Sequence, residues 1–373
     1  MKKKKLFIYI HQSILKGGVE KVFCNLLNNL PREKYDITVL SHMAYLTDDI
    51  HAGLYPENVK RRWLYYDEFA PGGLKRLCQR IHNFLMPPLY PKVLKLRKFD
   101  TAIATQEGFY ATFVQEHVRA EKKLLWIHND MGICHWTGKY FESNQAEGDC
   151  YRKFDKVVCV SGTVADSMRA LFGPMDNLCV CYNPIDTAQI DEKAREAAPQ
   201  RGARPLFVAV GRLANQKGFD RLIRICERLN RDGYGYDVWI LGEGEDREAL
   251  TAQLETAGVD NIRLLGNQPN PFPYMKTADW LICTSRHEGF NTALQEAVWC
   301  GVPILTMETS GVRELLGDSE YGIVTENDED DFYRAMVRVL EDPALLARYR
   351  EAVERRKAFI DLSGRIAAIE KIL

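Results

Sequence analysis

The chain has 373 residues, of which 46% are hydrophobic and 27% charged, and its formal net charge is -1. That length exceeds what one hydrophobic core comfortably fills, so two domains are expected. The balanced charge supplies no field to draw nucleic acid, and no run approaches the roughly 20 apolar residues of a membrane-spanning helix.

In chain order, Lys2 to Lys5 precede a short apolar run, 6–10, which His11 and Gln12 interrupt. The run is too short for the core of a secretory signal and reads as a first buried strand. Further apolar runs at 36–40, 62–66, 101–105, 124–128, 156–160 and 178–182 predict the strands of the first half. Runs at 206–210, 237–241, 262–265, 280–284, 302–306 and 322–324 predict those of the second. They are rich in Val, Ile, Leu and Tyr, as strands buried on both faces are. Helical spacing falls between them: Val19, Phe23, Leu26, Leu27 and Leu30 share one side, as do Leu222, Ile225, Cys226 and Leu229.

Alternating strands and helices predict parallel sheets covered on both faces. Twelve or thirteen strands overfill one open sheet, so the fold class is α/β with two doubly wound domains. Asn183-Pro184 should end the first, since proline cannot continue a ladder. The expected division is 1–183, a polar linker 184–204, a second domain 205–345, and a helical end 346–373. The segment 67–97, with Met86-Pro87-Pro88, matches no pattern.

Ten cysteines are scattered without paired metal-ligand spacing. Cys179 and Cys181 would share a strand face, as buried thiols or as paired ligands. Many free thiols suit a reducing cytosol, so a cytoplasmic protein is expected.

Ligands of open α/β sheets bind beyond the carboxyl ends of strands, which directs attention to the turns there. Gly17 and Gly18 open the first helix, where free N–H groups suit an anion, although a plain flexible turn would look the same. Arg212 and Lys217 follow the first strand of the second half. A planar fork and a point charge in one loop suit a diphosphate, the alternative being a pair of solvated surface cations. Gly242 lies in a glycine-rich turn open to a flat base or sugar, which is compatible with an acidic turn capping a helix that begins near Asp246. The richest stretch is Thr284-Ser285-Arg286-His287-Glu288-Gly289-Phe290-Asn291-Thr292-Ala293-Leu294-Gln295-Glu296. With a helix starting near Asn291, both carboxylates could reach one ligand while N–H groups from Phe290 to Ala293 point at a diphosphate. His128, just past an apolar strand, is either a hydrogen-bonded core residue or a group pointing into a cleft between the domains.

Together these segments resemble the retaining glycosyltransferases of the GT-B fold, the group called glycosyltransferase family 4 or glycosyl transferases group 1. The resemblance rests on Glu288 to Glu296 and on Gly211-Arg212-Leu213…Lys217-Gly218, with support from Gly301-Val302-Pro303-Ile304 and Ser310-Gly311-Val312-Arg313-Glu314. It implies two Rossmann-like domains facing a cleft. Arg212 and Lys217 would bind the donor diphosphate, Glu296 the ribose, and Glu288 the hydroxyls of the transferred sugar. Gly289, Phe290, Asn291, Thr292 and Leu294 would line that site. Gly17 and Gly18 would lie beside the phosphates or sugar, His128 near the reacting centre, and the base near Gly242, Asn267 and Gln268. It also implies retention of configuration with no metal or other cofactor, cations and helix N–H groups stabilising the leaving diphosphate. Met307-Glu308-Thr309 departs from the Asp- or Cys-containing turn the family leads one to expect there.

The segment Gly289 to Leu294 looks like members using UDP-sugars, with a hexose or N-acetylhexosamine passed to a cell-surface glycan or lipid-linked acceptor. A nucleotide-sugar epimerase of similar fold and a catalytically silent sugar-nucleotide-binding partner are the alternatives. Lys2 to Lys5 and the cluster Lys75, Arg76, Arg80, Lys92, Lys95, Arg97 and Lys98 are either solvated faces or a peripheral contact with anionic membrane.

Overall fold

The computed structural model describes residues 2–12, 17–44, 55–56, 59–66, 73–197 and 199–373. Residues 67–72, which figure in the sequence reading, lie outside them. The chain divides into two units, residues 1–184 with 363–373, and residues 185–362.

The first unit runs β1 (Lys4–Gln12), α1 (Gly18–Asn29), β2 (Tyr35–Ala44), β3 (Val59–Tyr66), α2 (Gly73–Leu96), β4 (Phe99–Ala104), α3 (Phe109–His117), β5 (Ala120–Ile127), α4 (Asn144–Arg152), β6 (Lys156–Cys159), α5 (Gly162–Phe172) and β7 (Leu178–Val180). All seven strands pair in parallel in the order β3-β2-β1-β4-β5-β6-β7. Central positions such as Phe7, Ile8 and Tyr9 are wholly buried, which is why these strands read as unbroken apolar runs.

The second unit runs α6 (Thr187–Lys193), β8 (Leu206–Val210), α7 (Phe219–Arg231), β9 (Asp237–Leu241), α8 (Arg247–Ala257), β10 (Ile262–Leu264), α9 (Phe272–Thr277), β11 (Trp280–Cys283), α10 (Thr292–Cys300), β12 (Ile304–Met307), α11 (Val312–Leu316), β13 (Ile323–Thr325), α12 (Glu329–Glu341) and α13 (Ala344–Arg356). Its sheet is also parallel, ordered β10-β9-β8-β11-β12-β13. The α7 stripe of Leu222, Ile225, Cys226 and Leu229 packs into one core with Phe207, Ile240 and Ile282.

Both sheets reverse strand order once, between β1 and β4 and between β8 and β11. Loops leaving adjacent strands in opposite directions open a crevice at such a switch point. The glycosyltransferase-like segments of the second half fall on the β8 and β11 loops.

Residues 185–204 belong to the second unit. Asp186 caps α6 by accepting from the Gln189 N–H, and Trp299 donates to Asp191 at 3.0 Å. The last helix, α14 (Leu362–Ile372), lies with the first unit, where Thr101 donates to the Leu373 carbonyl at 2.6 Å and Tyr35 to Glu370 at 3.1 Å. Helix α2 has no counterpart in the sequence reading, because Pro87, Pro88 and Pro91 within it each remove an N–H donor. Asn83 fastens it to β3, accepting from the Tyr66 N–H and donating to the Tyr66 carbonyl. Among the described residues, no helix is long and apolar enough to cross a membrane.

Candidate active site

The chain leaves β8 through Gly211 and Arg212, then makes a 3-10 turn, Asn215–Lys217. Gly218 takes a left-handed conformation with φ 64° and starts α7. A Cβ there would collide with the Thr284 carbonyl oxygen, so only glycine lets the β8 loop approach the end of β11 this closely.

The two loops are laced together. The Arg286 N–H donates to the Gln216 carbonyl at 2.8 Å, and Gln216 donates to the His287 carbonyl at 3.0 Å. The Arg286 guanidinium grips both Asp220 carboxylate oxygens, at 2.8 and 2.7 Å. Asn327, after β13, donates to the carbonyls of Ser285, Arg286 and Glu308 and accepts from Arg221 at 2.6 Å. One amide thereby joins the loops after β11, β12 and β13. No feature of the sequence singled out Asn327 or Asp220, since their partners are scattered along the chain.

At the centre of this lacing, Lys217 Nζ lies 2.6 Å from Glu288 Oε1. The same oxygen accepts from Ser285 Oγ at 2.8 Å and from Asn291 Nδ2 at 3.3 Å. Burial works to strip the proton from Lys217, but the Glu288 carboxylate outweighs it and raises the lysine's pKa. Arg212 is close enough for its charge to oppose this. Its own side chain is exposed and has no hydrogen-bond or ion-pair partner among the described residues. A half-buried lysine coupled to a buried carboxylate beside an uncommitted arginine is a charge arrangement suited to an anionic ligand.

Asn291 is the N-cap of α10, its Oδ1 accepting from the N–H groups of Ala293 at 2.9 Å and Leu294 at 3.4 Å. The Ala293 N–H, expected to face a diphosphate, is therefore committed to the cap. Glu296 sits on the second turn of α10 and is buried. Phe290 and Leu294 are also buried, Phe290 lying edge-on to Phe359, so their side chains serve packing. Gly289 and Thr292 flank the helix start.

Gly242, the expected neighbour of a base, packs against the β8 loop. At φ 149° a Cβ on it would overlap the Gly211 carbonyl, so its bareness serves loop-to-loop contact. Gln268 donates to the Leu265 carbonyl at 2.7 Å and accepts from Tyr274 at 2.9 Å, which closes its own turn. Asn267 is exposed.

In the first unit, Gly17 is the N-cap of α1 and Gly18 its first residue, with no side-chain cap. His128 follows β5. Burial drives its pKa down to about 3 against a Thr105 carbonyl contact that works to raise it, so the ring is neutral. Its Nε2 is buried and has no hydrogen-bond partner among the described residues. The loop behind it is held by Glu107, which accepts from the His128 N–H at 3.2 Å, Asn129 at 2.7 Å and Trp136 at 3.1 Å. A cavity of about 200 Å³ between α2 and α3, lined by His42, Tyr65, Phe109 and Phe113 among others, contains none of the donor-side candidates. Among the described residues, no group of three or more His, Cys, Asp or Glu is arranged to hold a metal ion.

Two parallel doubly wound sheets, with a cation–carboxylate site at the second switch point, define a two-domain α/β protein with an anion-suited loop pair. Residues 16–189 match the family described as Glycosyltransferase Family 4, and residues 190–356 match Glycosyl transferases group 1. The chain belongs to the glycosyltransferases of the GT-B fold. It is 34% identical over 184 residues to an N-acetylgalactosaminyltransferase of Campylobacter jejuni whose name specifies a diphospho-undecaprenol-linked substrate, covering 48% of this chain and 49% of that protein. It is 27% identical to the lipopolysaccharide core glycosyltransferase LpsE of Rhizobium meliloti, over 54% of this chain and 58% of that one. The matched stretch thus spans about half the length of these curated relatives. Among solved structures, Anabaena HepE in complex with UDP and glucose aligns with a TM-score of 0.77 at 16% identity, over 98% of each chain. That likeness concerns the fold.

Proposed function

We propose that the chain transfers a hexose or N-acetylhexosamine from a UDP-sugar to a glycan or lipid-linked acceptor, with retention of configuration. The observation that carries this reading is the Lys217–Glu288 contact at the second switch point, with Arg212 beside it. In this reading, the donor diphosphate takes over Lys217 and engages Arg212, while Glu288, released from the lysine, turns to the sugar hydroxyls. Glu296 holds the ribose. The names of the Campylobacter and Rhizobium relatives favour an acceptor in cell-surface glycan assembly, and the UDP complex of HepE favours a uridine donor.

The acceptor hydroxyl attacks the anomeric carbon from the face that the diphosphate leaves. Its oxygen bonds to that carbon as the bond from carbon to phosphate oxygen breaks, and its proton passes to the departing phosphate oxygen. No protein base is needed. Lys217, Arg212 and N–H groups at the start of α10 stabilise the leaving charge, a role that in this proposal requires no metal. The reaction takes place at the cytoplasmic side.

Incubation with a panel of UDP-sugars, followed by chromatography, tests the reading. Release of free UDP from one donor supports transferase chemistry. An epimerised donor would replace it with the epimerase reading, and binding without turnover with that of a silent partner.

A further inference from the structure

Helix α2 is oriented unusually for a surface helix. Its buried side chains, Gln79, Tyr90 and Leu94, lie on one side. The opposite, solvent-facing side carries Leu74, Leu77, Ile81, Phe84, Leu85 and Leu89, spaced at three and four residues as one stripe. Phe84 is 79% exposed and Leu74 75%. Seven of the eleven large apolar side chains exposed among the described residues belong to this helix. Such a patch marks an interaction surface.

Charge narrows the partner. The 24 residues of α2 include Lys75, Arg76, Arg80, Lys92 and Lys95 and no Asp or Glu. All five cations are exposed. A second copy docked on this face would bring like charges together. A nucleic acid would meet the cations but leave the leucine stripe in water. An apolar stripe flanked by cations without anions suits a helix lying in the headgroup layer of an anionic bilayer.

We propose that the outward face of α2 docks the first unit onto an anionic lipid surface, with Leu77, Ile81, Phe84 and Leu85 entering the acyl boundary and the basic residues meeting the headgroups. The cluster expected from sequence is revised accordingly. Lys98 is paired with Glu121 at 2.7 Å and contributes little, and the apolar stripe supplies what charge alone lacks. The proposal does not rest on the donor site.

Co-sedimentation with phosphatidylcholine vesicles, with and without phosphatidylglycerol, tests it. Wild-type chain should pellet with the anionic vesicles at low salt. Leu77→Glu/Phe84→Glu should lower that partitioning on the order of a hundredfold. Lys75→Gln/Arg76→Gln/Arg80→Gln should lower it about fivefold per cation, and only at low salt. All these positions are exposed, so each variant keeps the wild-type Tm and its rate of UDP release without vesicles. Failure of the wild type to pellet, or equal pelleting of the Leu77→Glu/Phe84→Glu variant, overturns the proposal. So does light scattering that shows a dimer which this variant converts to monomer, since a second copy would then cover the face.

Discussion

Glu107 and Glu288 occupy corresponding places, each in the loop leaving the fourth strand of its unit beside the switch point, and both are buried. Their surroundings differ. Glu288 meets a lysine at 2.6 Å with two neutral donors, whereas Glu107 meets only an N–H, an amide and an indole. Burial raises the Glu107 pKa, with those donors opposing the rise. One topological position thus serves two ends. In the first unit the acid organises a loop, and in the second it is half of a charge pair next to an uncommitted Arg212.

The largest expected effect comes from breaking the pair. Lys217→Ala should lower kcat on the order of 10²–10³-fold through loss of leaving-group stabilisation. It should also destabilise the second unit by about 3 kcal/mol, because Glu288 is left buried without its cation. Lys217→Met/Glu288→Gln should recover most of the stability and none of the activity. Denaturant melts and initial rates on the same preparations check both, and recovery of activity would remove the pair from the chemistry.

Glu107→Gln sharpens the other side of the comparison. The new amide sets an N–H group against donors that now meet an acceptor, at a cost of about 2 kcal/mol by denaturant melt. Unchanged stability would mean that Glu107 does not hold the His128 loop.

Asp220 yields a smaller, pH-dependent effect. Burial works to raise its carboxyl, but Arg286 and Arg224 prevail and hold it at about 2, below the ordinary 3.8. A depressed folded-state pKa contributes stability that is present above 3.8 and is lost as pH falls through about 2. The Tm deficit of Asp220→Asn should therefore be full at neutral pH, shrink below pH 4 and vanish near 2. A deficit independent of pH would refute the linkage. Arg212→Ala, which removes a side chain with no internal partner, should shift stability by less than about 0.5 kcal/mol while weakening donor binding.

Much of this arrangement was legible in the sequence, for definite reasons. Strands such as β8 and β9 are buried on both faces and appear as continuous apolar runs. The Asn291 cap and the αL Gly301 bracket α10 with ordinary helix signals. Helix α2 was hidden because its prolines argue against a helix and its apolar stripe faces outward. Lys217 and Glu288 are 71 residues apart, and only the order of β8 and β11 in the sheet brings them into contact. The contact of Gly242 with the Gly211 carbonyl was not legible, because a glycine that admits another backbone looks the same in sequence as one that admits a ligand.

Calorimetric titration of UDP into the wild type and into Lys217→Met/Glu288→Gln tests the central claim most directly. If the loops after β8 and β11 grip the diphosphate, the wild type binds UDP and the double variant binds it about tenfold or more weakly. Absence of binding to the wild type, or equal affinity in both, would contradict it.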